Sequence, residues 1–116
     1  MPRMRCRRLT ARSAWDPGAA LLVEALAGRL NAPAVLSCFS RLLIDPNRGT
    51  DDPTLVMRLS DGTVIPGNRD VTDVEIAARI AAFHDPYHRA IDDAIERALA
   101  SGIAPALLSI HTFTPV

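Results

Sequence analysis

The chain has 116 residues, 48% of them hydrophobic, with 13 basic and 13 acidic side chains and a formal net charge of zero. That length holds at most one small domain, able to bury about 65% of its unfolded surface. Balanced charge gives no global field towards nucleic acid or a membrane, and no apolar run approaches the roughly 18 residues that span a bilayer.

The first stretch, MPRMRCRRLTARSAW, places Arg3, Arg5, Arg7, Arg8 and Arg12 ahead of the first acid, Asp16, and every basic residue of the chain is an arginine. It lacks the apolar centre of a secretory signal, although it is arginine-rich and acid-free as transit peptides are. A basic arm for nucleic acid is a second option. The plainest expectation is a disordered arginine-rich tail over residues 1–13, because no aromatics interleave with the arginines. Cys6 and Cys38 make neither a disulfide framework nor a close metal or redox pair, so a reducing cytoplasm is the simplest compartment.

Asp16-Pro17 opens the first expected helix, the aspartate as cap and the proline in the first turn. Ala19, Leu22, Val23, Leu26 and Leu30 then recur at helical spacing, and Asn31-Ala32-Pro33 ends the run. AVLSCF and RLLID follow as short β-leaning runs. DPNRGTDDP is dense in turn formers, TLVMRL is ambiguous between strand and helix, and Asp61-Gly62 is a strong turn signal. Thr72-Asp-Val-Glu75 is a capping box, which starts a helix over about 73–83. Pro86 removes a backbone donor and is expected to break or kink it, with Asp85 capping a second helix whose inner stripe is Tyr87, Ile91, Ile95, Ala98 and Leu99. Gly102 is its expected stop. ALLSI then reads as a buried strand leading to His111. This order of elements predicts an α/β fold with a mainly parallel sheet flanked by helices.

Three groups of residues could carry chemistry. His111 follows an apolar run, where a histidine is either a satisfied structural residue or the rim of a site. His84 and His88 sit four apart, as two zinc ligands on one helical face do. Pro86 lies between them, however, and Asp85 stands where the metalloprotease motif has glutamate, which favours capping, hydrogen bonding or the edge of a pocket. Asn47-Arg48 and Asn68-Arg69 each follow a β-like run and a proline turn. A guanidinium grips a carboxylate through two parallel bonds and a neighbouring asparagine adds a donor. The two pairs point to an anionic ligand, against the alternative of loop arginines in solvent.

SRLLIDPNR, SDGTVIPGN, FHDPYHRAID and LLSIHTFTPV, in that order, together with AWDPGAALLVEALAGRL, resemble the N-formylglutamate amidohydrolase family from about Ala14 to Val116. The resemblance implies a partial carboxypeptidase-like (phosphorylase/hydrolase-like) α/β domain over residues 14–116. It implies a zinc-dependent enzyme of histidine degradation that hydrolyses N-formyl-L-glutamate, or a similar N-acyl amino acid, with zinc activating a water and polarising the amide carbonyl. By the same resemblance Asn47 and Arg48 hold the substrate carboxylate, His111 is a zinc ligand, and Asp16 of the AWD motif lies at the metal; Asn68, from the second Asn-Arg pair, is a further expected substrate contact.

The chain also departs from the family pattern. No earlier histidine-bearing strand precedes AWD, RSAWD replaces the usual HIAWD, Thr112 replaces a serine, and the region beyond SFTP that brings the general base is missing. A catalytic zinc site uses three protein ligands and an open water position. The expectation is therefore a chain truncated at both ends, with an incomplete site, low or no activity, and uncovered sheet edges through which copies could associate. A small-molecule N-acyl amino acid is the expected partner, with neither nucleic acid nor membrane. A non-catalytic α/β domain that binds a small carboxylate, or pairs with another chain, is the alternative.

Overall fold

The computed structural model of the protein describes residues 18–112. The arginine-rich start, Cys6 and Asp16 lie outside the described residues. Helix α1 spans Ala19–Leu30, a hairpin pairs β1 (Leu59–Ser60) with β2 (Thr63–Val64), and a short 3₁₀ turn covers Pro66–Asn68. Helix α2 (Asp73–Arg79) then runs through a π-helical turn, Ile80–His84, into α3 (Asp85–Ala100). No helix among the described residues is long and apolar enough to cross a membrane.

Local signals are realised where the sequence places them. Asn31, at φ 49°, closes α1 in the left-handed region, and the Ala32 N–H returns to the Ala27 carbonyl at 3.0 Å. Asp61 and Gly62 both have positive φ (48° and 74°), as the two-residue turn of a tight hairpin requires. In α2 the Thr72 hydroxyl accepts the Glu75 N–H while the Glu75 carboxylate accepts the Thr72 N–H. Gly102, at φ 78°, ends α3, with its N–H on the Leu99 carbonyl and the Ile103 N–H on that of Ala98. This is a Schellman closure.

The core is small. Ile44, Leu55, Val56 and Val71 are buried together, and Phe39, Leu43, Ile76 and Ile80 pack against them. Beside this cluster the Asn68 amide is buried, 3% exposed. Its Nδ2 donates to the carbonyls of Leu42 and Met57 (2.6 and 2.8 Å), and its Oδ1 accepts from Arg79 Nη1 at 2.7 Å. Arg79 also donates to the carbonyls of Leu43 and Gly67. Its guanidinium is thus turned into the fold instead of lying along α2 against Glu75. These two side chains stitch α2 to the 42–43 segment and the post-hairpin turn.

At Pro86 the chain stays helical, and the regular α-helix is interrupted by the π turn that separates α2 from α3. The backbone widens first: the Asp85 N–H bonds the Ile80 carbonyl, five residues back. A π turn relieves the clash of the proline ring with the preceding turn and absorbs its missing donor. Asp85 is accordingly a helical residue and not a cap. Along α3, Tyr87, Ile91, Ile95 and Ala98 are partly buried as the stripe predicts, whereas Leu99 is exposed.

The α/β character is present, but the expected mainly parallel sheet is not seen among the described residues, whose sheet is the two-stranded antiparallel hairpin. RLLID turns, because the Ser40 hydroxyl accepts the Leu42 N–H and the Ser40 carbonyl accepts that of Leu43, a local competitor to any ladder. AVLSCF and ALLSI have no ladder partner among the described residues. ALLSI is also not buried, with Leu107 and Leu108 both exposed.

Two predictions follow from this packing. Asn68→Ala takes the side-chain donor from two carbonyls and removes one acceptor of the Arg79 guanidinium, so urea denaturation should show a loss of about 3 kcal/mol; a loss below about 1 kcal/mol would mean that water replaces the amide freely. The Glu75 carboxyl is held below its ordinary range, first by the Thr72 N–H and then by the Thr72 hydroxyl. A lowered folded pKa adds stability above the ordinary range that is lost as pH falls through the folded value. Glu75→Ala should therefore be less stable than the parent near neutrality, and its thermal melts should approach those of the parent as the pH drops below the glutamate range. A cost constant with pH would contradict the capping box.

Candidate functional site: an arginine-bearing cleft on helix α3

The loop from Asp45 to Gly49 begins where the core ends. Ile44 is fully buried, and the Asp45 N–H bonds the Leu55 carbonyl at 2.8 Å. The Asp45 carboxylate, 1% exposed, then organises the turn. Its Oδ1 accepts the Asn47 N–H at 3.0 Å, its Oδ2 pairs with Arg41 Nη2 at 3.1 Å, and its carbonyl accepts the Arg48 N–H at 3.2 Å. An aspartate bonding the N–H two residues on, followed by a proline that presets φ, is the chemistry of an Asx turn. The result is that Asn47 and Arg48 ride on the outside of a tightly held bend.

Arg48 is poised rather than consumed. Its Nε lies 3.9 Å from Asp45 Oδ2 and its Nη1 lies 3.8 Å from Asp52 Oδ2, with the side chain 48% exposed. Both separations exceed hydrogen-bond length, so the donors of the guanidinium stay available to a ligand. Asp52 itself is held below the ordinary carboxylate range, mainly by the Thr54 hydroxyl and N–H and in smaller part by Arg48.

From the other side the loop meets α3. His84 Nε2 donates to the Arg48 carbonyl and His88 Nε2 to the Pro46 carbonyl, each at 2.9 Å. A carbonyl accepts only, so both protons sit on Nε2. The two rings lie against each other with centroids 4.3 Å apart and a tilt of 39°, and Tyr87 sets its ring edge-on to His88. Burial pushes the Tyr87 hydroxyl pKa up.

Loop, helix and the segment Leu107–His111 enclose an open cleft of about 730 Å³. Arg41, Asp45, Asn47 and Arg48 supply its polar lining and Tyr87, Ile91 and Leu107 its apolar lining; Ser109 and His111 also line it, the Ser109 hydroxyl lying 2.8 Å from His111 Nε2. Two arginines face one carboxylate. The arrangement suits a small organic anion whose charged end meets Arg48 and whose stem lies along the apolar wall.

Of the residues singled out from sequence, Asn47, Arg48 and His111 are brought into this cleft. Asn68 is not: it is buried beside the core and its amide is committed to protein groups. Asp16 lies outside the described residues. His84 and His88 line the cleft and bind loop carbonyls, the hydrogen-bonding role weighed against metal ligation. Among the described residues no group of three or more His, Cys, Asp and Glu side chains could hold a metal ion, so these donors do not fit a three-ligand zinc site. Sequence reasoning missed Asp45 and Arg41. The signal was present: Asp-Pro-Asn after an apolar run marks an Asx turn, and an arginine four residues before the aspartate is within reach of it.

Fold and cleft together define a small α/β module with an arginine-lined cleft. Comparison with known proteins then gives its family. The family model for N-formylglutamate amidohydrolase matches residues 2–116, including the arginine-rich start. The crystal structure of a gene product from Agrobacterium tumefaciens superposes with a TM-score of 0.87 at 36% sequence identity, over 92% of this chain and 42% of that one. No curated protein matches. The chain belongs to the N-formylglutamate amidohydrolase family, and it spans less than half the length of that solved relative.

The loop geometry makes Asp45 testable. Asp45→Ala removes the acceptor of the Asn47 N–H and the partner of Arg41, and should lower stability by about 2–4 kcal/mol in chemical denaturation. Asp45→Asn keeps the Oδ1 acceptor and should cost clearly less. Equal costs for the two would show that the charge, not the turn bond, holds the loop.

Proposed function

We propose that this chain supplies the carboxylate-binding part of a site that hydrolyses N-formyl-L-glutamate or a similar N-acyl amino acid. The observation that carries the reading is Arg48: a half-exposed guanidinium held on an Asx turn, with no hydrogen bond to the described residues, lining a cleft. Family membership supports the reaction class. In this reading the substrate carboxylate lies across the fork of Arg48, the Asn47 amide adds a donor, and the rest of the molecule follows the wall of Tyr87, Ile91 and Leu107. Arg41 is drawn back by Asp45 and shapes the field more than it grips.

The zinc implied by the sequence resemblance belongs to this proposal as a cofactor. His111 would give one ligand and Asp16 a second, and the metal would supply an activated water. The described donors do not complete such a ligand set. What this chain's own residues do is bind and orient. The Arg48 cleft can act without a metal, which favours carboxylate binding without turnover as the second reading.

Calorimetric titration with N-formyl-L-glutamate, paired with an assay of formate release, tests both. Saturable binding that falls at least about tenfold in Arg48→Ala is expected from the loss of a charge-assisted bidentate pair. Formate release would support the hydrolase, and binding without release would select the second reading. Binding that is unchanged in Arg48→Ala would sink the assignment of the site.

A further inference from the structure

We infer that His84 and His88 are positioning residues that set the ligand-binding turn by clamping the two carbonyls on either side of Asn47. This deepens the proposed function and rests on it for the role of Arg48. The observations are geometric. His88 Nε2 holds the Pro46 carbonyl and His84 Nε2 the Arg48 carbonyl, both at 2.9 Å. Fixing both flanking peptide planes fixes the direction in which Asn47 and Arg48 project.

The two bonds cross sequence separations of 42 and 36 residues, so they join the turn to α3 and are not features of the turn itself. The histidines lie one helical turn apart with their ring centroids 4.3 Å from each other and the rings tilted by 39°, so each restrains the rotation of the other. The π turn ends at His84. Such turns rotate the residues that follow relative to a regular helix, and here the widening lies just before the residues that meet the loop.

His84 is also imperfectly satisfied. Its side chain is 8% exposed, and its Nδ1 is buried with no hydrogen-bond partner among the described residues, 3.9 Å from Asp85 Oδ1. An unmet buried acceptor costs about 1–3 kcal/mol. A residue chosen for stability alone would not leave it so; a donor needed at Nε2 explains the choice.

The test compares His88→Met with His88→Gln in the full chain. Both residues are good helix formers of similar length, but glutamine keeps a donor where Nε2 stands. The same pair at His84 covers a failure of either His88 variant to fold. The first readout is hydrogen exchange at the Asn47 and Arg48 amides, which needs no ligand. Exchange at least about tenfold faster in the Met variants, largely restored in the Gln variants, is expected from the loss of a local restraint. Exchange within twofold of the parent in the Met variants, or equal in Met and Gln variants, would overturn the inference.

The second readout is a double-mutant cycle for N-formyl-L-glutamate affinity. His88→Met should weaken binding about tenfold in the parent and have little further effect in Arg48→Ala. Additive losses would mean general damage and would also overturn it. If the parent binds no N-formyl-L-glutamate, the proposed function fails while hydrogen exchange still decides the clamp.

Discussion

The Asn68 carboxamide is the interaction on which the rest depends. A buried amide has two donors and an acceptor to satisfy, and an unmet one costs more than a made bond returns. Asn68 meets its needs on three separate stretches of chain: the Leu42 carbonyl, the Met57 carbonyl and the Arg79 guanidinium. Arg79 carries the link onward to Leu43 and Gly67. With few buried apolar side chains in the core, these directional bonds define where the 42–45 segment sits. Asp45 follows immediately, and the placement of the cleft follows from Asp45.

The cleft is held from two sides by different chemistry. Below, Asp45 folds the turn through its own carboxylate and draws Arg41 towards it. Behind, α3 reaches the backbone of the same turn through two imidazoles. What remains outside both sets of contacts is the Arg48 guanidinium. Its nearest acids stand at 3.8 and 3.9 Å, close enough to orient a charge and too far to satisfy its donors. Such a group loses little by exchanging water for a ligand carboxylate, because its geometry is already set.

How much of this could be read from the sequence divides along physical range. The capping box at Thr72, the Asp61-Gly62 turn and the Gly102 stop were legible, because each is decided by φ, ψ and hydrogen bonds within a few residues. The expected strands were not. AVLSCF and ALLSI have strand composition, but a strand exists only with a partner, and none runs beside them among the described residues. RLLID was diverted by the Ser40 hydroxyl. Pro86 read as a helix break because an α turn cannot hold it, whereas a π turn can. At the site, the Asn-Arg pairing at 47–48 was readable from arginine's carboxylate chemistry and from the family motif. Asn68 carries the same residue pairing and lies in the interior, a difference set by contacts 11 and 26 residues away. His111 shares the cleft with Arg48 only through tertiary folding.

The central claim is that a fixed turn presents Arg48 to a substrate carboxylate. The most direct measurement follows the Arg48 Nε–H resonance by NMR during titration with N-formyl-L-glutamate and, separately, with its uncharged diamide. The account predicts a saturable shift with the acid and none with the diamide. Equal shifts with both, or no saturable shift with the acid, would contradict it.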